Sequence, residues 1–222
     1  FTNLISVFNV YTKLETVSLA YIPFKEYLTE EQFNNIVVNK GKTGQILELT
    51  IGLQLSNTTL DFEDGELKTN KCNKLGIPAE TMFITQTASI IDELLSFKPF
   101  EESKLYKKIN RMLYVRINKE GAPENWMFLP PILVDLSLPK YAELAAQLKF
   151  DYIDICDILN DQLCLSPDAM LHTANGKYIQ IRTKDSIPYH AIYSRKYDRI
   201  VSDKNRAFYF KIPCLKYLIT LE

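Results

Sequence analysis

The stretch Asp61-Phe62-Glu63-Asp64-Gly65-Glu66-Leu67-Lys68-Thr69 sets an acidic turn directly in front of an alternating segment. Side chains two apart share one face of an extended strand, so Glu66 and Lys68 point together while Leu67 turns into a core. The preceding turn can bring Asp61 or Asp64 alongside them. Carboxylate oxygens at this separation suit a hard cation such as Mg²⁺, and a lysine beside that cation can hold or deprotonate a water. Such a grouping is the working chemistry of metal-dependent phosphodiester hydrolysis. Acidic-x-basic triplets also occur on solvated strand faces, where opposite charges alternate, and the rest of the chain has to choose between the two.

The 222 residues allow one large domain or two small lobes, since a domain takes roughly 100 to 200 residues. An apolar content of 46% with only 7 glycines points to a folded chain and away from low complexity. Apolar runs such as 126–134 are broken by prolines and fall short of a membrane span, and Phe1 begins no recognisable signal peptide, so a cytoplasmic location and no membrane partner are expected. The four cysteines, Cys72, Cys156, Cys164 and Cys214, include no CxxC pair and read as reduced, mostly buried thiols.

Net charge near zero hides an asymmetry: residues 171–222 carry ten Lys or Arg against four Asp or Glu. Tyrosines and phenylalanines are interleaved with these cations, from Tyr178 and Arg182 to Tyr209 and Lys211. Cations neutralise phosphates, and Arg, Lys and Tyr can read base edges from a groove. The competing reading is a strand-rich lobe with a solvated basic face.

Along the chain, Thr29-Glu30-Glu31-Gln32 is a capping box opening a short helix, and a turn follows at 39–44. Gly41-Lys42-Thr43 is no phosphate-binding loop, because the glycine required five residues earlier is Ile36. A second helix over 46–53 carries Glu48. Strands are expected over 65–69, 81–87, 112–117, 126–134, 177–183 and 207–211, with helices over 103–110, 141–163 and from about 213. Trp126 is expected in the core. Without a regular βαβ alternation the fold class is α+β with a mixed sheet.

In this order the motifs resemble the MutH mismatch-repair nickase and the GATC-cutting type II restriction endonucleases related to it, a family with the PD-(D/E)xK nuclease core. The likeness runs from about Thr29 to the C-terminus. Asn39-Lys40-Gly41 followed by Gly44, Leu47-Glu48 and Gly52 is similar to the family's helix with an accessory glutamate, and Asp61-Phe62 with Gly65-Glu66-Leu67-Lys68-Thr69 to its catalytic segment. Pro78-Ala79-Glu80-Thr81-Met82-Phe83 resembles the strand that follows, and Lys107-Lys108-Ile109-Asn110-Arg111-Met112-Leu113-Tyr114 a helix-to-strand passage. Tyr178-Ile179-Gln180-Ile181-Arg182-Thr183-Lys184 and Arg206-Ala207-Phe208-Tyr209-Phe210-Lys211 resemble two DNA-reading segments.

The resemblance implies a restriction-endonuclease-like fold, a mixed sheet flanked by helices, in two lobes over about 1–100 and 101–222 that form a DNA-binding cleft within one domain, 1–222. Asp61 and Glu66 would hold Mg²⁺, with Asp64 as the alternative to Asp61, because the gap to Glu66 is shorter than in the repair enzyme. Lys68 would orient water, Glu48 would complete the site, and Lys108 would contact phosphate; a wet helix end is the rival reading for Lys107 and Lys108. Arg182, Lys184, Arg206, Tyr209 and Lys211 would bind double-stranded DNA, Tyr209 against the target adenine, where it senses N6 methylation. A core aromatic is the rival reading for Tyr209. Thr183 stands where the repair enzyme has proline, and residues 185–205 do not follow its pattern, which favours a restriction enzyme over the nickase. His172 and His190 sit in neither a ββα-metal nor a phospholipase D-type signature; a structural or surface role is expected, with DNA contact the rival reading for His190.

The expectation is therefore a sequence-specific, Mg²⁺-dependent type II restriction endonuclease, with GATC as the candidate site and a cognate DNA methyltransferase in the same system. The alternatives are a strand-nicking repair endonuclease and a non-cleaving DNA-binding module. Cutting both strands of a palindrome with one active site per chain requires a homodimer or two sequential events.

Overall fold

Alternating side chains after the acidic turn produce a strand, and a sheet grows from its parallel partner. In the computed structural model, which describes residues 19–39, 43–51, 60–62 and 65–222, β1 (Glu66–Cys72) lies parallel to β3 (Arg111–Asn118), with Glu66 opposite Met112. On its other side β3 is antiparallel to β4 (Met127–Phe128) and β5 (Ile132–Asp135). The six residues from Met112 to Ile117 are all buried, as befits a central strand covered on both faces.

Leu113, Val115 and Ile117 alternate onto one face of β3, where with Leu67 and Phe128 they meet three helices. These are α1 (Phe24–Tyr27), α2 (Glu30–Val38) and α3 (Thr43–Thr50), which contribute Phe24, Phe33, Ile36, Ile46 and Leu47. The capping box of α2 forms: the Thr29 hydroxyl accepts the Gln32 N–H at 3.2 Å, and the Gln32 side chain accepts the Thr29 N–H at 3.0 Å. The strand expected over 126–134 is two strands instead. Pro130 and Pro131 cannot donate to a ladder, so pairing with β3 stops at Phe128 and resumes at Ile132. Trp126 is buried just before β4. The helix expected over 46–53 begins earlier, at Thr43; residues 52 and 53, and 40–42 of the preceding turn, lie outside the described residues.

A second sheet has the order β2 (Met82–Gln86), β10 (Arg206–Phe210), β7 (Ile179–Thr183), β6 (Ala174–Asn175), antiparallel throughout. Phe208, Phe210, Ile179 and Ile181 are buried. The long helix α6 (Ala142–Leu165) packs against β6 and β7, its Leu144, Leu148, Tyr152, Ile155, Leu159 and Leu163 recurring at helical spacing. Shorter helices α4 (Ile91–Leu95) and α5 (Lys104–Ile109), the closing α7 (Ile212–Thr220) and a hairpin of β8 (Ile192–Ser194) with β9 (Arg199–Ser202) complete this part. The architecture is α+β, with sheets flanked by helices.

The first sheet and its helices form one compact unit, drawn from residues up to Glu80, Asn110–Asp135 and Glu222; Thr81–Ile109 and Leu136–Leu221 form the other. The chain thus passes between units four times. Cys72, Cys156 and Cys214 are buried free thiols, and Cys164 is an exposed one. Among the described residues, no helix is long and apolar enough to cross a membrane.

Candidate functional site

The turn in front of β1 is closed by the Phe62 N–H, which donates to the Gly65 carbonyl at 3.0 Å, and is anchored by the buried Phe62 ring. It holds Asp61 against the strand, where Oδ2 accepts the Leu67 backbone N–H at 2.9 Å. Gly65 lets the turn enter close to β3: an added Cβ would lie 3.0 Å from the Arg111 carbonyl oxygen. Leu67 points into the core, so Glu66 and Lys68 face the other way. Lys68 Nζ donates to Glu66 Oε1 at 2.7 Å, with the two side chains only 11% and 4% exposed. Charges so withdrawn from water persist only when each has a partner.

Glu48 reaches this cluster because α3 is pressed onto β1. A Cβ on Gly44 would lie 3.1 Å from Thr69 Oγ1, so glycine permits the close approach. Lys119 Nζ holds the Thr43 hydroxyl, at the start of the same helix, at 2.5 Å. The Glu48 carboxyl is pushed above the usual range by burial first and then by the negative charge of Asp61; the Lys68 ammonium opposes the shift and Glu66 adds to it. Glu48, Asp61, Glu66 and Lys68 are therefore one electrostatic cluster within the first unit. Asp64, the alternative to Asp61, lies outside the described residues.

The donors in this cluster are hard carboxylate oxygens, the chemistry Mg²⁺ prefers, and Asp61 is bonded to the N–H of Leu67, the residue next to Glu66 on β1. Among the described residues no three His, Cys, Asp or Glu side chains close into a metal-binding group. Mg²⁺ commonly takes only one or two protein carboxylates and keeps several waters, so the pair fits it. Lys108 is half-buried in the last turn of α5, in the second unit, beside an exposed Lys107.

Three of the five expected DNA-binding side chains share a surface of the second sheet. Tyr209 stands opposite Gln180 on β7 and Phe83 on β2. The exposed Arg182 lays its guanidinium 4.1 Å from the centre of the Tyr209 ring and donates to Thr81 Oγ1 at 2.8 Å. Phe83 meets Tyr209 edge-on at 5.8 Å, and the Lys184 ammonium lies 5.1 Å over the Phe83 ring. Phe208 and Phe210 are buried, whereas Tyr209 is half-buried on the opposite face of β10.

Arg206 and Lys211 are engaged elsewhere. Arg206 is only 5% exposed, its Nε donates to Ser202 Oγ at 3.0 Å, and burial pulls its pKa below the usual guanidinium value. Its position on β10 gives it the inward parity of Phe208 and Phe210, which the count of basic residues did not weigh. Lys211 Nζ donates to the Gly176 carbonyl at 2.8 Å. His172 and His190 are exposed and bind Asp168 and Asp185, at 3.0 and 3.2 Å.

Several supporting residues carried no sequence motif. Asp151, buried on α6, accepts the backbone N–H groups of Lys177, Tyr178 and Ile179 at 3.0, 2.5 and 3.0 Å and so fixes the entry into β7. Thr81 and Phe83 were within reach of sequence reasoning, because alternation over 81–87 sets Phe83 opposite to Met82 and Ile84. What was missing was the neighbouring strand. Compared with known proteins, the chain matches no protein-family model and no curated protein.

Proposed function

We propose that this chain is a Mg²⁺-dependent endonuclease of the type II restriction kind, acting on double-stranded DNA. The observation that carries the reading is the convergence of Glu48, from a separate helix, on the Asp61, Glu66 and Lys68 cluster. A solvated strand face offers no reason for a third carboxylate to be held in the same field. The collinear resemblance to the MutH-related endonucleases supports the same assignment and a PD-(D/E)xK core.

In this proposal Asp61 and Glu66 hold the cation. Mg²⁺ held there would supply polarisation of the scissile phosphate and a lowered pKa for a water. Lys68, now paired with Glu66, orients the attacking water and stabilises negative charge building on the phosphate oxygens. Glu48, with its raised proton affinity, accepts a proton through water. Attack at phosphorus forms the new P–O bond and breaks the bond to the 3′ oxygen, leaving a 5′-phosphate. Lys108 contacts phosphate. Arg182 donates to guanine or phosphate oxygens, since one bond to Thr81 leaves further guanidinium N–H groups to give. Tyr209 lies against the target adenine, where an N6 methyl group clashes with it. GATC is the candidate site, and a restriction activity of this kind works beside a cytoplasmic methyltransferase of the same specificity.

The test is incubation with plasmids of differing adenine methylation, with and without Mg²⁺. Double-strand cutting by the protein alone is expected, and Lys68→Ala should slow it by about 10² to 10³-fold. Weak nicking that awaits a partner would assign the chain to strand-nicking repair. No cutting on any DNA would leave only a DNA-binding module, and a Lys68→Ala protein that cuts normally would refute the site.

A further inference from the structure

In the second unit α6 presents large apolar side chains to solvent. Phe150 and Ile153 are 66% and 47% exposed, and Phe97, in the loop after α4, is 48% exposed. Ile153 and Phe97, with Pro99, Tyr152 and Cys156, line an apolar pocket of about 220 Å³. Phe150 stands on the same helix beside the pocket without lining it, so a knob and a hole adjoin on one surface. Phe97 also has a φ of 55°, a left-handed conformation that strains a residue carrying a side chain. Exposed apolar groups gathered in this way mark an interaction surface more often than scattered ones do.

We propose that this surface binds a second copy of the chain, α6 against α6 in antiparallel sense, about a two-fold axis passing Ile153. In a two-fold contact, residues equally spaced before and after the axis meet reciprocally. Phe150 then faces the pocket of the other copy, at the level of the fully buried Cys156, and Lys149 faces Asp157. One axis satisfies both relations: it seats the knob in the hole and it sets opposite charges together. A parallel arrangement of the two helices would instead set Lys149 on Lys149 and Asp157 on Asp157. Lys149 is already held at the pocket rim by Glu101, 2.7 Å away, with both side chains half exposed. The rim and walls of the pocket that would receive Phe150 include the apolar Phe97, Pro99 and Ile153. The contact stands whether or not the chain is a nuclease; for a nuclease it supplies two catalytic clusters for two strands.

Sedimentation of the whole chain without DNA tests the proposal independently of any cutting assay. A concentration-dependent monomer–dimer equilibrium is expected. Phe150→Glu, at an exposed position, should keep the circular dichroism of the parent and weaken the dimer by about 30-fold or more, as loss of a central anchor does. Asp157→Lys should weaken it by opposing Lys149, and Lys149→Glu with Asp157→Lys should restore it. With exposed Cys164 replaced by serine, Ile153→Cys should give a covalent dimer on mild oxidation, because a residue at the axis faces its own copy. A chain that stays monomeric at its highest soluble concentration overturns the proposal, and so does a dimer that Phe150→Glu leaves unchanged.

Discussion

Glu48 separates two uses of a charged side chain, because folding alone makes its ionised form unfavourable. Its carboxyl binds a proton more tightly in the folded chain than in the unfolded one. The stability it contributes is therefore complete below the unfolded carboxylate's pKa and is lost as pH rises through the raised folded value. Glu48→Gln removes that loss. In chelator, the variant should melt at a higher temperature than the parent at neutral pH, and the gain should vanish below the ordinary glutamate value of about 4.3. Melting curves across pH check this, and a gain that persists in acid would contradict it. Mg²⁺ in the cluster relieves the same repulsion, so adding it should raise the parent's melting temperature and have little effect on Asp61→Asn. At this scale the sequence was legible for Glu66 and Lys68, whose shared face follows from strand alternation, while it left Asp61 and Asp64 as alternatives, of which only Asp61 lies among the described residues. It was not legible for Arg206, where a basic residue near other basic residues is buried by the parity of its strand.

Elements meet at points where one atom too many would separate them. Gly65→Ala should destabilise the first unit by about 1–3 kcal/mol, because the added carbon meets a backbone oxygen of Arg111, which cannot rotate away as a side chain can. Urea denaturation measures it, and an unchanged midpoint would mean that β1 moves freely against β3. In the second unit Asp151→Ala leaves the N–H groups of Lys177, Tyr178 and Ile179 without their carboxylate. The expected loss is about 1–3 kcal/mol for each group that water does not reach, and DNA affinity should fall with it as the entry into β7 loosens. Propensity and capping were good guides to elements whose information is local: α2 begins at its capping box, and α6 follows its apolar repeat. They misjudged 126–134, where the two prolines outweighed the apolar run, and they did not foresee the β8–β9 hairpin, whose turn Asp92 secures from α4 by accepting the Ser194 hydroxyl at 2.6 Å.

At the scale of the molecule, each unit carries one half of the proposed activity: an acidic cluster with a lysine in the first, a cationic and aromatic sheet face in the second. The halves should therefore separate in experiment. Lys184→Ala should weaken duplex binding and lower the slope of log affinity against log salt by about 0.9 if its ammonium neutralises one phosphate, with the melting temperature unchanged. Arg206→Ala should do the reverse, destabilising the fold through its buried bond to Ser202 while the salt slope stays the same. Binding isotherms at several salt concentrations distinguish the two. The sequence by itself determined what lies within one element or one turn: the common face of Glu66 and Lys68, the Thr29 cap, the strand and helix types, and the α+β class. Those features depend on backbone periodicity, which adjacent residues impose on one another. Only the tertiary structure decided that Glu48 joins Asp61, that Arg206 turns inward while Arg182 stacks on Tyr209, and that the two units interleave along the chain. Such distances are set by how separate elements pack on a shared core, and no short spacing in the sequence encodes them.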